Sequence, residues 1–284
     1  FFSIYIFWGS TYFLNKVAVT ELPPFFLASM RFFTAGVLMI IIAAALKIDL
    51  RVSKKQLLNT SIVAFFFLVY GNSVFVWALQ FLESGFGSLI ASIQPLVVLI
   101  LMRIIDGKKM QKKSVIGVFL GVLGMYLLVS QDSLTTVENS FLGICVMLTC
   151  VLSWSYGSIF VSKANLPKNY LVSSGYQMII GGGLQGVISL FFQEDWSSPV
   201  MWSQNVQIAM FLLIVFGSLV TFTAFNYLLK VVSTEKVATS AFVNPVIALF
   251  MGWYFLDEKL TLQYALASVI LLTGVYFITT RKRI

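Results

Sequence analysis

A chain of 284 residues that is 59% hydrophobic and only 11% charged, with mean hydropathy +0.92, excludes a water-soluble domain, which carries about a quarter charged residues. The net charge of +8 does not point to nucleic acid, because the basic residues stand at the ends of apolar runs and read as a topology signal. With no histidine there is no His-based metal site, triad or general base, and no Gly-rich phosphate loop opens a helix, so a membrane enzyme and an ATP-driven pump are disfavoured and no cofactor is expected.

The apolar runs are about 18–25 residues long, enough to cross a hydrocarbon core of roughly 30 Å as helices. Span one covers residues 1–19 and begins inside an apolar run without Met, so the native start is expected further upstream. Leu22-Pro23-Pro24 stops it, and Pro24 opens span two, 24–46, where a missing N–H costs nothing. Span three is 56–79, span four 84–105 and span five 114–129, and the polar segment 130–140, with two acids and no base, divides the halves. Span six is 141–163, seven 169–192, eight 204–230, nine 235–256 and ten 262–280. Cys145 and Cys150 share span six, roughly 8–9 Å apart on a helix, too far to bridge.

The chain states one pattern twice. Ala91-Ser92-Ile93-Gln94-Pro95 returns 150 residues later as Ala241-Phe242-Val243-Asn244-Pro245, and the register extends from the pair Phe75 and Phe225 to the pair Tyr126 and Tyr276. Loop charge alternates with it. With the N-terminus in the cytoplasm, 16 of the 19 Lys/Arg fall on that side, and eight of eleven acids fall on the other. Five spans per repeat is an odd number, so the second copy enters from the opposite face. The expected architecture is an all-α integral membrane protein of ten helices, two inverted five-helix repeats at 1–130 and 139–284, with both termini cytoplasmic and a central cavity between them.

The chain resembles an EamA-type member of the drug/metabolite transporter superfamily. The matching residues are Trp8-Gly9-Ser10-Thr11-Tyr12-Phe13, Pro23-Pro24 with Met30-Arg31-Phe32, Ser153-Trp154-Ser155-Tyr156-Gly157-Ser158, Val243-Asn244-Pro245-Val246 and Asp257-Glu258-Lys259-Leu260. The resemblance implies ten helices with spans five and ten peripheral, and it points to exporters of amino acids and small amphiphilic metabolites. The acid expected before the last span of each half is Glu258 in the second copy but Lys108 in the first, which is a departure from the pattern.

The chemistry must come from few groups. No Asp or Glu stands at the centre of a span, so a buried-carboxylate proton relay is not expected. Arg31 is the one charge deep in an apolar span, a clamp for a substrate carboxylate or an anchor bonded to a neighbouring span; the second copy has Gln177 at its place. Gln94-Pro95 and Asn244-Pro245 break their helices in mid-membrane, which makes Pro95 and Pro245 candidate hinges. Asn72 and Asn226 are further mid-span amides, and Trp8, Tyr12, Trp77, Trp154 and Tyr156 are mid-span rings. The expected substrate-binding set is therefore Trp8, Tyr12, Arg31, Asn72, Trp77, Gln94, Trp154, Tyr156, Asn226 and Asn244. Secondary transport of a small amphiphile is the leading reading, and a non-transporting receptor or scaffold on the same bundle is the alternative. The expected partners are a small-molecule substrate, the lipid bilayer and a second copy of the chain as homodimer, with no nucleic acid.

Overall fold

The computed structural model describes residues 1–107, 112–129, 139–232, 234–237, 240–257 and 261–279. Lys108, Lys109, Glu258 and Lys259, and most of the 130–140 divider, lie outside them. Glu235 is described in its backbone alone. The described residues are helical almost throughout and hold no strand.

The first half is α1 (Phe2–Ala18), α2 (Pro24–Ala45), a long helical stretch Lys54–Phe81, then α5 (Ser84–Ala91), α6 (Gln94–Asp106) and α7 (Lys112–Val129). The long stretch comprises α3 (Lys54–Ala64), a π-helical segment Phe65–Val74, α4 (Phe75–Ala78) and one 3₁₀ turn. The second half is α8 (Ser140–Lys163), α9 (Tyr170–Phe191), the stretch Gln204–Val231, α12 (Thr234–Val237), α13 (Ser240–Leu256) and α14 (Leu262–Thr279). Its long stretch also carries a π segment, Leu213–Val220, between α10 (Gln204–Leu212) and α11 (Thr221–Val231). Five of these stretches are long and apolar enough to cross a membrane, and shorter apolar helices accompany them. Large apolar side chains such as Ile41, Leu58, Phe119, Val187 and Val269 point outward, as they do where lipid is the solvent.

Helix ends are secured by side chains. Ser53 and Gln56 form a capping box at α3, and Asn169 accepts from the first N–H groups of α9. The start of α2 is capped from the other half: the Glu194 carboxylate accepts from Phe25 N–H at 3.2 Å and Phe26 N–H at 2.7 Å. An anion at the positive end of a helix dipole is favourable, and here it also ties the halves together. Glu21 does likewise, accepting from Ser203 N–H at 3.0 Å at the start of α10. Lys16 donates to the carbonyls of Leu79 and Leu82, at 2.6 and 2.7 Å, closing the end of the Lys54–Phe81 stretch.

Glycine lets the halves approach, and it does so in matched pairs. Gly36 in α2 meets Ile179 of α9, where an added Cβ would lie 2.7 Å from the Ile179 nitrogen. Gly182 in α9 meets Phe33 of α2, where an added Cβ would lie 2.5 Å from the Phe33 nitrogen. The two contacts exchange under a shift of 146 residues, which carries Gly36 to Gly182 and Phe33 to Ile179. The pair α7 and α14 behaves the same way under a shift of 150: Gly124 packs on Leu271, and Gly274 packs on Gly121 and Gly117.

The π segments are also matched. Ser73 Oγ donates to Leu68 O at 3.1 Å and Thr221 Oγ1 donates to Phe216 O at 2.6 Å, each reaching five residues back. The wider π turn frees a carbonyl, and in the first half that carbonyl, Leu68 O, also accepts from Gln185 Nε2 of α9 at 2.6 Å. The main buried cluster draws on both halves, joining Phe32, Met39, Phe67 and Leu68 to Val161, Met178, Phe222 and Phe225, so the halves share one core.

The proline devices differ between the copies. Between α5 and α6 the helix is interrupted at Ser92 and Ile93, and Pro95 sits in the first turn of α6, where its missing N–H is harmless. In the second copy α13 runs through Pro245, so the expected mid-span break there is corrected: the helix bridges it.

Candidate functional site

Between the halves lies a cavity of about 90 Å³ whose wall draws on α1, α2, the first π segment, α4, α5, α6, α8 and α13. At roughly 10–15 Å³ per water centre it has room for several waters or one small ligand. Helical periodicity places α1 in the wall: Trp8, Thr11, Tyr12 and Asn15 recur at intervals of three and four and share one face.

The wall is aromatic on one side. Trp8 and Trp154, themselves 146 residues apart, meet edge to face with ring centroids 5.6 Å apart and planes at 77°. Phe67 stacks on Trp154 at 4.6 Å, and Phe225 lies 4.6 Å from Trp8. Tyr12 meets Phe75 edge to face at 5.6 Å. Such pairs hold ring orientation and add about 0.5–1.5 kcal/mol beyond area burial, so these walls are fixed surfaces rather than loose ones.

The other side is polar. Gln94, Ser88 and Ser92 come from the interrupted α5–α6 span, and Ser240 and Asn244 from α13. Turned to match its neighbours, the Asn244 amide nitrogen donates to Ile4 O at 3.1 Å, Tyr5 O at 3.0 Å and Ser240 O at 3.2 Å. Asn244 therefore ties α13 to the start of α1 while it lines the cavity. Gly9 permits that approach, since a Cβ there would lie 2.8 Å from Ile247.

Arg31 forms part of the same wall and is 2% exposed. Its Nε donates to Ser218 Oγ at 2.8 Å and its Nη1 to Asn15 Oδ1 at 3.3 Å, while the guanidinium carbon sits 4.6 Å above the Phe32 ring. Gly217 makes room for it, because a Cβ there would come within 2.9 Å of Nη2. Every one of these partners is neutral. Asn72, also in the wall, has its Oδ1 shielded from water with no hydrogen-bond partner.

Seven of the ten expected residues thus meet at one cavity: Trp8, Tyr12, Arg31, Asn72, Gln94, Trp154 and Asn244. Three do not. Tyr156 is 38% exposed and packs on Phe66 at 4.8 Å, away from the cavity, because two residues along a helix from Trp154 is about 200° of rotation. Trp77 stands two residues from cavity-lining Phe75 and packs on Phe81 at 5.0 Å for the same reason. Asn226 is buried against α9, donating to Ser174 Oγ and Gln177 Oε1 at 3.2 Å each, and lines a different cleft with Lys168, Tyr170 and Lys230. Pro95 and Pro245 are buried but outside the wall itself. Sequence reasoning missed Thr11, Asn15 and Ser218; the first two were visible as a polar face with Trp8 and Tyr12, whereas Ser218 follows from nothing short of the α2–π-segment contact.

Comparison with known proteins agrees with this geometry. The model of the EamA-like transporter family matches residues 1–130 and again 141–280. The inner membrane transporter YedA of Escherichia coli strain K12 is 29% identical over 286 residues, covering 99% of this chain and 90% of that one. The transporter YoaV of Bacillus subtilis strain 168 is 21% identical, covering 98% and 94%, and a probable amino-acid metabolite efflux pump of Escherichia coli strain K12 is 25% identical, covering 96% and 91%. A solved structure, titled only as the crystal structure of a protein, shares the fold with TM-score 0.70 and 17% identity over 97% of this chain and 93% of that one. An all-helical membrane-embedded chain matched twice over by one model belongs to the EamA-like transporter family.

Proposed function

We propose that this protein is a secondary transporter that moves small amphiphilic molecules, amino acids or similar metabolites, out of the cell by alternating access through the cavity between its halves. The observation that carries the reading is the cavity itself. A membrane interior has no use for a space walled by Trp8, Trp154 and Tyr12 and edged with Arg31, Asn72, Gln94 and Asn244 unless something polar and apolar enters it. Rings supply contact area, and the amides fix orientation.

The transporter is read as ten membrane-crossing helices in two inverted repeats, 1–130 and 139–284, with both termini cytoplasmic. The exchange of the Gly36 and Gly182 contacts, and of the Gly124 and Gly274 contacts, supports a two-fold relation between the repeats. The loop charges support the orientation. Alternating access then amounts to rocking one repeat against the other, with the interrupted α5–α6 span as a compliant element. The efflux-pump relative supports the choice of amino-acid metabolites and of export.

The test is a thermal-shift screen of the purified protein against amino acids, amines and organic cations, followed by counterflow of each stabilising compound in proteoliposomes. A ligand of the folded state raises the melting temperature in proportion to its occupancy. The reading predicts that at least one stabilising compound exchanges across the bilayer. Stabilisation without exchange would favour a receptor on the same bundle and overturn transport.

A further inference from the structure

We infer that the cavity is built for a substrate that carries a carboxylate, and that Arg31 is the residue that receives it. The inference rests on the transport reading and narrows it to one charge class, excluding organic cations that lack an anionic group.

The argument starts from what surrounds the guanidinium. Arg31 is 2% exposed, yet its protein partners are a serine hydroxyl, an asparagine oxygen and an aromatic ring, all neutral. Among the described residues no carboxylate lies within ion-pair distance of it. The described acids stand at span ends and in loops; two of them, Glu21 and Glu194, cap helices there. A buried ion without a counter-charge is unfavourable, and proteins normally pair it. Here the unpaired cation is also part of a cavity wall, where an incoming ligand can supply the missing charge.

The guanidinium keeps donors that no protein group uses. Nε is committed to Ser218, and Nη1 has one long bond to Asn15, while no acceptor is bonded to Nη2. The Nη1–Nη2 pair is the edge of the fork that matches two carboxylate oxygens. A second observation lies in the same wall: Asn72 Oδ1 is shielded from water and unpartnered, so the wall holds another buried polar group that the protein itself leaves unsatisfied. The other repeat supplies a comparison. Gln177, at the place equivalent to Arg31, is engaged with Asn226 and Ser173 and does not line this cavity, so charge recognition is confined to one repeat.

The experiment uses the full-length protein in proteoliposomes with size-matched pairs: aromatic, aliphatic and polar amino acids against their carboxamides, and 3-phenylpropionate against 3-phenylpropionamide. Sodium chloride against sodium gluconate tests whether an inorganic anion is the natural counter-charge. The expected result is that carboxylates stabilise and exchange at least tenfold better than their amides, with no effect of chloride. R31K is expected to keep part of that preference and R31Q to abolish it, glutamine being the residue that the other repeat tolerates at this place. Equal handling of carboxylate and amide by the wild type would overturn the inference while leaving transport standing. So would retention of the preference in a folded R31Q, or stabilisation by chloride alone. Exchange of no compound in either series would overturn the transport reading and this inference together. The wild-type pairs decide the matter even if R31Q does not fold.

Discussion

Three consecutive glycines in α9, Gly181, Gly182 and Gly183, meet three different surroundings, and substituting each with alanine measures how closely the halves pack. At Gly182 the new Cβ would lie 2.5 Å from the Phe33 nitrogen and 2.8 Å from its Cα, and backbone cannot swing away as a side chain can. Ordinary contact begins near 3.4 Å, so α2 and α9 must separate by most of an ångström. At Gly181 the nearest atom is Leu68 Cβ at 2.9 Å, part of a side chain that yields only slightly, and at Gly183 nothing lies within 4 Å. All three variants gain the same helix propensity, about 1 kcal/mol, so it cancels between them. What remains at Gly182→Ala is overpacking of about 1–3 kcal/mol. At roughly 2–4 °C per kcal/mol this separates Gly182→Ala from Gly183→Ala by several degrees, with Gly181→Ala between them. The assay is thermal unfolding of the three purified variants in one detergent. Equal melting temperatures for Gly182→Ala and Gly183→Ala would refute the close α2–α9 approach.

Glu194→Ala removes the cap that the second half places on α2 and should cost about 1 kcal/mol in chemical denaturation; an unchanged midpoint would show that water replaces it freely. Hydrogen bonds from Ser203 hold the Glu21 carboxyl below its ordinary value of 4.5. Its contribution is complete above that value and disappears as pH falls through the lowered one, so the melting-temperature gap between wild type and Glu21→Gln should close on acidification. A gap that widens in acid would contradict the assignment. Asn244→Leu loses the ties to the carbonyls of Ile4 and Tyr5, and should lower stability by about 1 kcal/mol but exchange by much more. Exchange falling only in step with the folded fraction would demote Asn244 to a packing residue.

The parts legible from sequence were those that repetition and charge encode. A shared register located the Asn244 and Gln94 amides, and both stand in one cavity wall. It also paired Gly124 with Gly274, which occupy matched contacts between α7 and α14. Mid-span position alone says how deep a residue lies but not which way it points, and that is why Trp77 and Tyr156 enter the expected set although each is rotated by about 200° from a cavity-lining residue two positions away, Phe75 and Trp154. Asn226 failed differently. It is as polar and as deep as expected, but Ser174 and Gln177 of α9 satisfy it. The π segments left no trace in composition or period. In the structure each is accompanied by a hydroxyl, of Ser73 or Thr221, that donates to the carbonyl five residues back. Pro245 could not be told from Pro95 by its neighbours, since both follow an amide, and what differs is that α13 has already begun when it reaches its proline.

The central claim is that the space between the halves is a water-accessible path for substrate. Its direct test places a single cysteine at Ala91, a half-buried position in the cavity wall, in a protein whose native cysteines are replaced, Cys145→Ser and Cys150→Ser. A control cysteine at Ile41, 57% exposed on the outer surface, faces lipid instead. A small water-soluble thiol reagent is applied to membranes with and without a stabilising substrate. The account predicts that Ala91→Cys is labelled, that substrate slows the labelling, that labelling stops exchange, and that Ile41→Cys is unreactive. An unreactive Ala91→Cys, or one whose complete modification leaves exchange intact, would contradict it.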